Sequence, residues 1–153
     1  MRDVVASYVY SNTLTVLQVT GKILREALEQ CATYFDRDGE GRMVVSEHFL
    51  RPKEAHFNYD YFAGIDVRFD VSRPRGRRVV KLERNGKPIL PEDTFSLVMN
   101  NYRATGSGDF DCYVGCPVLR EIQTDVSELI IRYLSENGTI EIPTPNPILI
   151  SDE

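Results

Sequence analysis

The amino-acid sequence predicts a single α+β domain in which a mixed or antiparallel sheet packs against helices. Three observations favour this class: an apolar strand that leads into an amphipathic helix, a strict alternation typical of a half-buried strand, and a second capped helix near the C-terminus. The chain has 153 residues, of which 42% are hydrophobic, so one domain can bury a core without disulfides or metal ions.

The first unit is a strand followed by a helix. Residues 14–19 are almost continuously apolar and rich in β-branched side chains, as in a strand that is covered on both faces. Thr20 offers an N-cap for the helix that follows. Apolar residues then recur at helical spacing, at Leu24, Ala27, Leu28 and Cys31. We expect this helix to run to about Phe35.

Three strands in the middle of the chain are expected to form a meander. Residues 65–71 alternate between apolar and polar side chains, which predicts one buried and one wet face. Residues 79–84 form a second strand, which ends at an Asn85-Gly86 turn because both residues tolerate positive φ. Residues 95–99 form the third strand.

A second helix is predicted near the C-terminus. Asp125 and Glu128 can form a capping box at its start, and Asn137-Gly138 ends it. Its apolar residues should face the core: Val126, Leu129, Ile130, Tyr133 and Leu134. The domain then spans residues 1–142, and the proline-rich residues 143–153 form a C-terminal arm.

Charge and motif content exclude several functions. A net charge of −5 argues against a nucleic-acid polymer as partner, because such a partner requires a basic face. No apolar run is long enough for a membrane span, and the sequence offers no catalytic residue, cofactor motif or ligand set for a catalytic zinc or di-metal centre. His48 and His56 have no clustered acid or cysteine nearby in sequence, so both are expected to be solvated loop residues. The basic side chains of residues 73–84 are expected on a solvated sheet face.

One segment imitates a calcium-binding loop. It has oxygen ligands at the spacing of an EF-hand and a glycine, Gly41, at the sixth position. The oxygen ligands are Asp36, Asp38, Glu40 and Glu47. A calcium-binding or structural module therefore stays open as an alternative function.

Two loops carry tyrosines beside the predicted strands. Tyr10 precedes the first strand, and Tyr102 follows the strand at residues 95–99. Loops of this composition expose rings, and two such rings could clamp a planar base. Isolated tyrosines at strand ends are more commonly packing residues at the rim of a core.

Five motifs in order along the chain resemble the C-terminal, substrate-binding domain of the 5'-nucleotidase family. They are NTL with VTGKILREALE at residues 12–14 and 19–29, GIDVRFD at 64–70, GRRV at 76–79, NGKP at 85–88 and NNYRATGSGDF at 100–110. The NYD segment at residues 58–60 and the tyrosines of both loops are most similar to the bifunctional 2',3'-cyclic-nucleotide 2'-phosphodiesterase/3'-nucleotidase branch.

The resemblance implies that Tyr10 and Tyr102 sandwich the base of a nucleotide substrate. It also implies substrate contacts by other residues of the second loop: Asn101, Gly106, Gly108 and Asp109. Asp109 would accept hydrogen bonds from ribose hydroxyls, and it lies one position later than the acid of ecto-5'-nucleotidases.

In the family that the chain resembles, hydrolysis belongs to a preceding metallophosphoesterase domain that holds two divalent metal ions and whose motifs this chain lacks. The resemblance thus implies a fragment that is inactive alone and whose partner is its own N-terminal catalytic domain. The implied reactions open 2',3'-cyclic nucleotides and dephosphorylate 3'-nucleotides in nucleotide salvage, in the periplasm, in secreted form or at the cell wall. A 5'-nucleotidase or UDP-sugar hydrolase stays open as an alternative.

Overall fold

The computed structural model describes residues 4, 6, 8, 10–140 and 149–151. The strands are β1 (Leu14–Thr20), β2 (Phe35–Arg37), β3 (Met43–Val45), β4 (Asp66–Asp70), β5 (Val79–Arg84), β6 (Lys87–Pro88), β7 (Thr94–Asn100), β8 (Val118–Ile122) and β9 (Leu149–Ser151). The helices are α1 (Gly21–Ala32), α2 (Asn101–Ala104) and α3 (Val126–Asn137), with 3-10 turns at Glu47–Phe49, His56–Asn58 and Asp111–Tyr113. None of these helices is long and apolar enough to cross a membrane. The α+β class is confirmed.

The predicted strand-helix unit is present as β1 and α1. The Thr20 hydroxyl oxygen caps α1 by accepting a hydrogen bond from the Ile23 N–H at 3.3 Å. The helix ends at Ala32, earlier than predicted, because Phe35 already belongs to β2, which pairs with β3. The expectation that β1 is covered on both faces is wrong, since Gln18 at its centre is exposed.

The described strands form three sheets. β1 lies at the centre of the first sheet, with β7 and β8 antiparallel on either side. β2 and β3 form a separate hairpin. The third sheet has the order β6-β5-β4-β9, in which β4 and β9 are parallel and the other pairs antiparallel, so this sheet is mixed. The end of the predicted arm thus pairs with the domain as β9, whereas residues 141–148 lie outside the described residues.

The predicted meander is wrong in its third member. β4 and β5 pair as expected, but β7 pairs with β1 in the other sheet. The chain crosses between the sheets at residues 91–93, where the Gly21 N–H at the start of α1 donates to Asp93 O at 2.8 Å. A second bond joins the Lys22 N–H to Pro91 O at 3.0 Å. These bonds hold the crossing segment against the α1 N-terminus, so the next strand begins beside β1.

The hydrophobic core lies between α1 and the two larger sheets. The apolar stripe predicted for α1 is buried, and so are Val67 and Phe69 of β4. Phe110 and Tyr113 close the core from the segment between α2 and β8, with their rings stacked at a centroid distance of 5.8 Å. Full burial of a large apolar side chain contributes about 1.5–3 kcal/mol to folding stability. The core therefore holds the segment that carries Phe110 and Tyr113 in place.

The helix α3 lies where it is predicted, but its apolar residues are not in the core. Asp125 caps the helix by accepting bonds from the N–H and the hydroxyl of Ser127, at 2.8 and 2.6 Å, in place of the predicted capping box with Glu128. No residue of α3 is fully buried, and Tyr133 is exposed. Helical periodicity correctly identified the apolar stripe of α3. Among the described residues, the elements that pack against α3 bury this stripe only partly.

The basic side chains of residues 73–84 are predicted to lie on a solvated sheet face, and this prediction is wrong for Arg78. Arg78 is buried, and its Nη1 donates to Ala32 O at 2.9 Å and to Phe35 O at 2.5 Å. The last carbonyls of a helix have no partner within the helix, so the Arg78 guanidinium supplies donors at the end of α1.

Candidate functional site

The two loops that carry Tyr10 and Tyr102 lie at the same end of the first sheet. β1 and β7 are antiparallel, and Leu14 at the start of β1 is opposite Asn100 at the end of β7. The loop before β1 and the segment after β7 therefore leave the sheet side by side. The predicted clamp requires this proximity, because two rings can stack on one base only if their loops lie close together.

Hydrogen bonds tie the two loops together. The Asn101 N–H donates to Thr13 O at 2.9 Å, and the Asn101 carboxamide oxygen accepts from the Thr13 N–H at 3.1 Å. The Val126 N–H at the start of α3 donates to Asn12 O at 2.8 Å and attaches the first loop to that helix. The Asn101 oxygen is thus engaged with the neighbouring loop, and its role as a substrate ligand stays a prediction.

Both tyrosine rings have free surface. Tyr10 is 78% exposed and Tyr102 is 44% exposed. Tyr102 lies in α2, a single helical turn that Asn100 caps by accepting a bond from the Arg103 N–H at 2.7 Å. The Thr105 hydroxyl donates to Tyr102 O at 2.8 Å and closes the turn. These contacts fix the backbone of Tyr102 while leaving its ring open to a ligand.

An ion pair between the buried Arg103 and the partly buried Asp60 supports the Tyr102 segment. Arg103 is 5% exposed, and its Nε and Nη2 bind the two carboxylate oxygens of Asp60 at 2.8 and 2.9 Å. The guanidinium also lies over the Phe110 ring, with its carbon 4.1 Å from the centroid. Burial raises the pKa of the Asp60 carboxyl, and the Arg103 charge opposes that rise.

Arg103 also shapes the loop that follows α2. Its Nη1 donates to Ser107 O at 2.5 Å, with a longer contact to Gly108 O at 3.5 Å. Gly106 and Gly108 both have positive φ, +88° and +74°. A Cβ at Gly108 would collide with Arg103 and with the Asn58 side chain. Glycine is therefore required here to let the loop pass over the buried guanidinium.

Asp109 extends from the same loop in a left-handed conformation, with a φ of +69°. Its Oδ2 lies 3.1 Å from the His48 Nε2, and both side chains are more than half exposed. The exposure of His48 agrees with the predicted solvated residue, but its acidic partner could not be predicted, because the two residues are far apart in sequence and meet only in the fold. His56 is also engaged, since its Nδ1 lies 2.7 Å from the Tyr34 hydroxyl.

A cavity of about 600 Å³ lies beside this site, between residues 59–63 and the outer edge of β7. Asp60 and Arg103 are among its lining residues, whereas Tyr10, Tyr102 and Asp109 are not. A ligand held between the two tyrosines would consequently lie at an open surface rather than in this cavity.

The calcium-loop alternative is contradicted by the fold. Residues 35–45 form the β2-β3 hairpin, and no group of three or more metal-ligating side chains converges anywhere in the described residues. Asp38 Oδ2 instead binds Arg42 Nε at 2.8 Å, and this hydrogen bond lowers the pKa of the Asp38 carboxyl. Asp36 binds Arg75 at 3.0 Å, across the fold. All four proposed ligands are thus engaged by arginines, since Glu40 also lies 3.1 Å from Arg42 and Glu47 lies 3.7 Å from Arg51.

Sequence reasoning missed the buried support of the site. Asp60 and Arg103 belong to two separate motifs, and neither motif alone indicates a role for its charged residue. The presence of an acid in NYD and a base in NNYR is the feature from which an ion pair could have been inferred.

Comparison with known proteins identifies the family. The sequence model of a family described as "5'-nucleotidase, C-terminal domain" matches residues 1–115. The chain belongs to this family. The match covers most of the chain. It confirms, at the level of the family, the resemblance carried by the sequence motifs.

The relatives of this 5'-nucleotidase C-terminal domain are much longer nucleotide phosphoesterases. It is 31% identical to the 2',3'-cyclic-nucleotide 2'-phosphodiesterase/3'-nucleotidase of Salmonella typhimurium over 124 residues, which are 69% of this chain and 18% of the relative. It is 26% identical to the trifunctional nucleotide phosphoesterase YfkN of Bacillus subtilis over 91% of this chain and 10% of the relative. The chain thus spans less than a fifth of the length of these two curated relatives.

A solved structure shows the same fold. A Staphylococcus aureus protein provisionally named a 5'-nucleotidase superposes with a TM-score of 0.90 and 39% identity, covering 98% of this chain and 29% of the other. A 5'-nucleotidase precursor from Thermus thermophilus superposes with a TM-score of 0.70 and 26% identity, covering 98% of this chain and 27% of the other. The domain family belongs to hydrolases, and each of these four proteins carries the domain as less than a third of its chain.

Proposed function

We propose that this domain holds the base and ribose of a nucleotide for a phosphoesterase that opens 2',3'-cyclic nucleotides and dephosphorylates 3'-nucleotides. One observation carries the proposal: Tyr10 and Tyr102 are exposed on two loops that are tied together at one end of the first sheet. Similarity to the Salmonella typhimurium enzyme, which is named for these two reactions, supports the choice of substrate.

Stacking suits an enzyme that accepts many nucleotides. Each base-on-aromatic contact contributes about 1–3 kcal/mol and tolerates any base, because every base has a π-face. Two such contacts barely exceed the several kcal/mol that association costs, so we expect dissociation constants near or above roughly 1 mM for the isolated domain.

The charges of the second loop indicate that the phosphate is recognised elsewhere. Arg103 is the one basic residue of residues 100–111, and its charge is compensated by Asp60 beneath the loop. Asp109 and Asp111 are acidic and exposed. A phosphate placed beside these two carboxylates would be repelled. This loop therefore suits the neutral base and the ribose hydroxyls.

The described residues do not fit the two divalent metal ions that the family resemblance implies. No three His, Cys, Asp or Glu side chains converge in the described part of the chain. In this proposal the metal ions and the hydrolysis belong to a catalytic domain outside residues 1–153, and this domain binds substrate for it. We also propose that the enzyme works outside the cytoplasm, in the periplasm, in secreted form or at the cell wall, where salvage of external nucleotides takes place.

An amide-resolved NMR titration of the chain with adenosine, 3'-AMP and 2',3'-cyclic AMP tests the binding role. We expect shifts confined to the two tyrosine loops, affinities for the three ligands that differ by no more than about fivefold, the size of one hydrogen bond to the ribose, and loss of binding in the Tyr10→Ala/Tyr102→Ala double variant. Tyr61→Ala is the matched control, because Tyr61 is 82% exposed but lies outside these loops. Binding by the double variant as tight as that of the wild type would refute the clamp.

A second candidate, hydrolysis of 5'-nucleotides, is favoured by the higher identity to the Staphylococcus aureus protein. A chimera in which this chain replaces the matching part of that protein separates the two functions. Under our proposal the chimera gains activity on 2',3'-cyclic AMP relative to 5'-AMP, compared with the unaltered relative. An unchanged preference for 5'-AMP would favour the second candidate.

A further inference from the structure

The contact between His48 and Asp109 joins two distant parts of the chain at the candidate site. His48 Nε2 lies 3.1 Å from Asp109 Oδ2, although the residues are 61 positions apart. A carboxylate can only accept, so the imidazole Nε2 must carry the proton in this contact. Asp109 Oδ1 has no hydrogen-bond partner among the described residues and is available to a ligand.

The backbone at Asp109 holds its carboxylate at the surface. Left-handed φ is uncommon for residues other than glycine, and such residues cluster where function requires a fixed geometry. The loop on the N-terminal side of Asp109 is fixed by the Phe110 N–H, which donates to Gly106 O at 3.0 Å, and by the Arg103 contact with Ser107 O. The remaining freedom of Asp109 is rotation of its side chain, and the His48 contact restricts that rotation.

His48 lies in a turn that is held by packing and by a backbone hydrogen bond. It lies in the turn Glu47–Phe49, where the next residue, Phe49, is buried. The His48 ring packs edge-on against the Phe49 ring at a centroid distance of 5.4 Å. The Phe49 N–H donates to Ser46 O at 3.0 Å and closes the turn. The imidazole therefore reaches Asp109 from an anchored backbone.

We propose that His48 is a positioning residue that holds Asp109 so that Asp109 Oδ1 accepts a hydrogen bond from a ribose hydroxyl. This inference rests on the proposed nucleotide-binding function and adds a residue from outside the two tyrosine loops. A 2',3'-cyclic nucleotide has only the 5'-hydroxyl free on its ribose, whereas adenosine has three hydroxyls. Comparison of these ligands with 5'-deoxyadenosine identifies the hydroxyl that Asp109 binds.

The test measures dissociation constants by NMR for adenosine and for adenine, which lacks the ribose, with the 153-residue chain. His48→Ala should weaken adenosine binding by about fivefold, the usual size of one hydrogen-bond contribution, and leave adenine binding unchanged. His48→Gln should restore adenosine binding to within about twofold, since its Nε2 amide can donate from a similar position. In an Asp109→Asn background, His48→Ala should have a smaller effect than in the wild type.

Three results would overturn the inference. Unchanged adenosine binding in His48→Ala shows that the contact is not used. Equal weakening of adenosine and adenine shows that His48 acts on the tyrosine clamp and not on the ribose. An undiminished effect of His48→Ala in the Asp109→Asn background shows that His48 acts without Asp109. Failure of the wild-type chain to bind either ligand would instead refute the proposed function, and this inference with it.

Discussion

Arg103 binds Asp60 through two hydrogen bonds, 2.8 Å from Nε to Oδ2 and 2.9 Å from Nη2 to Oδ1. The same guanidinium lies on the Phe110 ring and donates to Ser107 O. One buried side chain therefore connects the segment before β4 with the loop that carries Tyr102. The position of an exposed ring at the candidate site depends on an ion pair beneath it.

Removal of the Asp60 charge should destabilise the domain strongly. Asp60→Asn leaves the buried Arg103 guanidinium without a counter-charge, and breaking a buried pair in this way costs about 3 kcal/mol. Urea unfolding of the chain measures the loss. Glu47→Gln is the matched control, because the Glu47–Arg51 pair is 3.7 Å long with side chains 78% and 80% exposed, and should lose less than about 1 kcal/mol. Equal losses in both variants would contradict the assignment.

The sequence predicted local features of this site better than its long-range contacts. The tyrosines of the two loops and the positive φ of Gly106 and Gly108 follow from loop composition and turn chemistry. The pairs Asp60–Arg103 and His48–Asp109 do not, because each joins positions more than 40 residues apart. No spacing rule for a single helix or hairpin relates such positions, so only the fold could bring them together.

Gly108 should be sensitive to any side chain. Gly108→Ala places a Cβ against Arg103 and Asn58, and it also puts alanine at a φ of +74°. Gly115→Ala is the matched control, because Gly115 has a φ of +80° and open space around the Cβ position. The control should lose about 1 kcal/mol of stability from its backbone conformation alone. Gly108→Ala should lose at least about 1 kcal/mol more from the collision.

Urea unfolding of the two glycine variants decides between these contributions. The NMR signals of the Tyr102 loop should shift in Gly108→Ala and stay in place in Gly115→Ala. The same stability loss in both would mean that Arg103 moves aside freely, contrary to its contacts with Asp60 and Phe110.

The fold was predictable where the pattern of one element determines its environment. β1, α1, the β4-β5 pair and the bounds of α3 follow from periodicity, caps and turn residues. The partner of β7 was not predictable in this way, since its apolar pattern fits either sheet. The choice depends on the hydrogen bonds that the Gly21 and Lys22 N–H groups at the start of α1 donate to Asp93 O and Pro91 O. The exposure of α3 was missed for a related reason: periodicity identifies an apolar face, but not what covers it.

Substitution at Tyr102 should separate ring stacking from hydroxyl chemistry. Tyr102→Phe keeps the ring, so adenosine affinity should stay within about twofold, whereas Tyr102→Ala should weaken it by about five- to 150-fold. Stability should change little in either variant because the ring is half exposed. NMR titration gives both affinities. A large loss in Tyr102→Phe would assign the role to the hydroxyl group and contradict stacking.

The cap of α3 should make the stability of that helix depend on pH. The Ser127 hydroxyl, followed by the Ser127 N–H, lowers the pKa of the Asp125 carboxyl below its ordinary value of 3.8. The folded state thus favours the charged carboxylate. The resulting stabilisation is fully present above pH 3.8 and is lost as the pH falls through the lower pKa of the folded state.

Asp125→Asn isolates this effect, because asparagine is also a good N-cap but does not titrate. We expect the wild type to be the more stable protein at neutral pH and its advantage to shrink progressively once the pH falls below the ordinary aspartate pKa. Urea unfolding followed by the NMR signals of α3 at several pH values measures this difference. Ser127→Ala should reduce the wild-type advantage at neutral pH, since it removes the bond that lowers the Asp125 pKa most. A difference that stays constant down to strongly acidic pH would show that the Asp125 charge does not stabilise the helix.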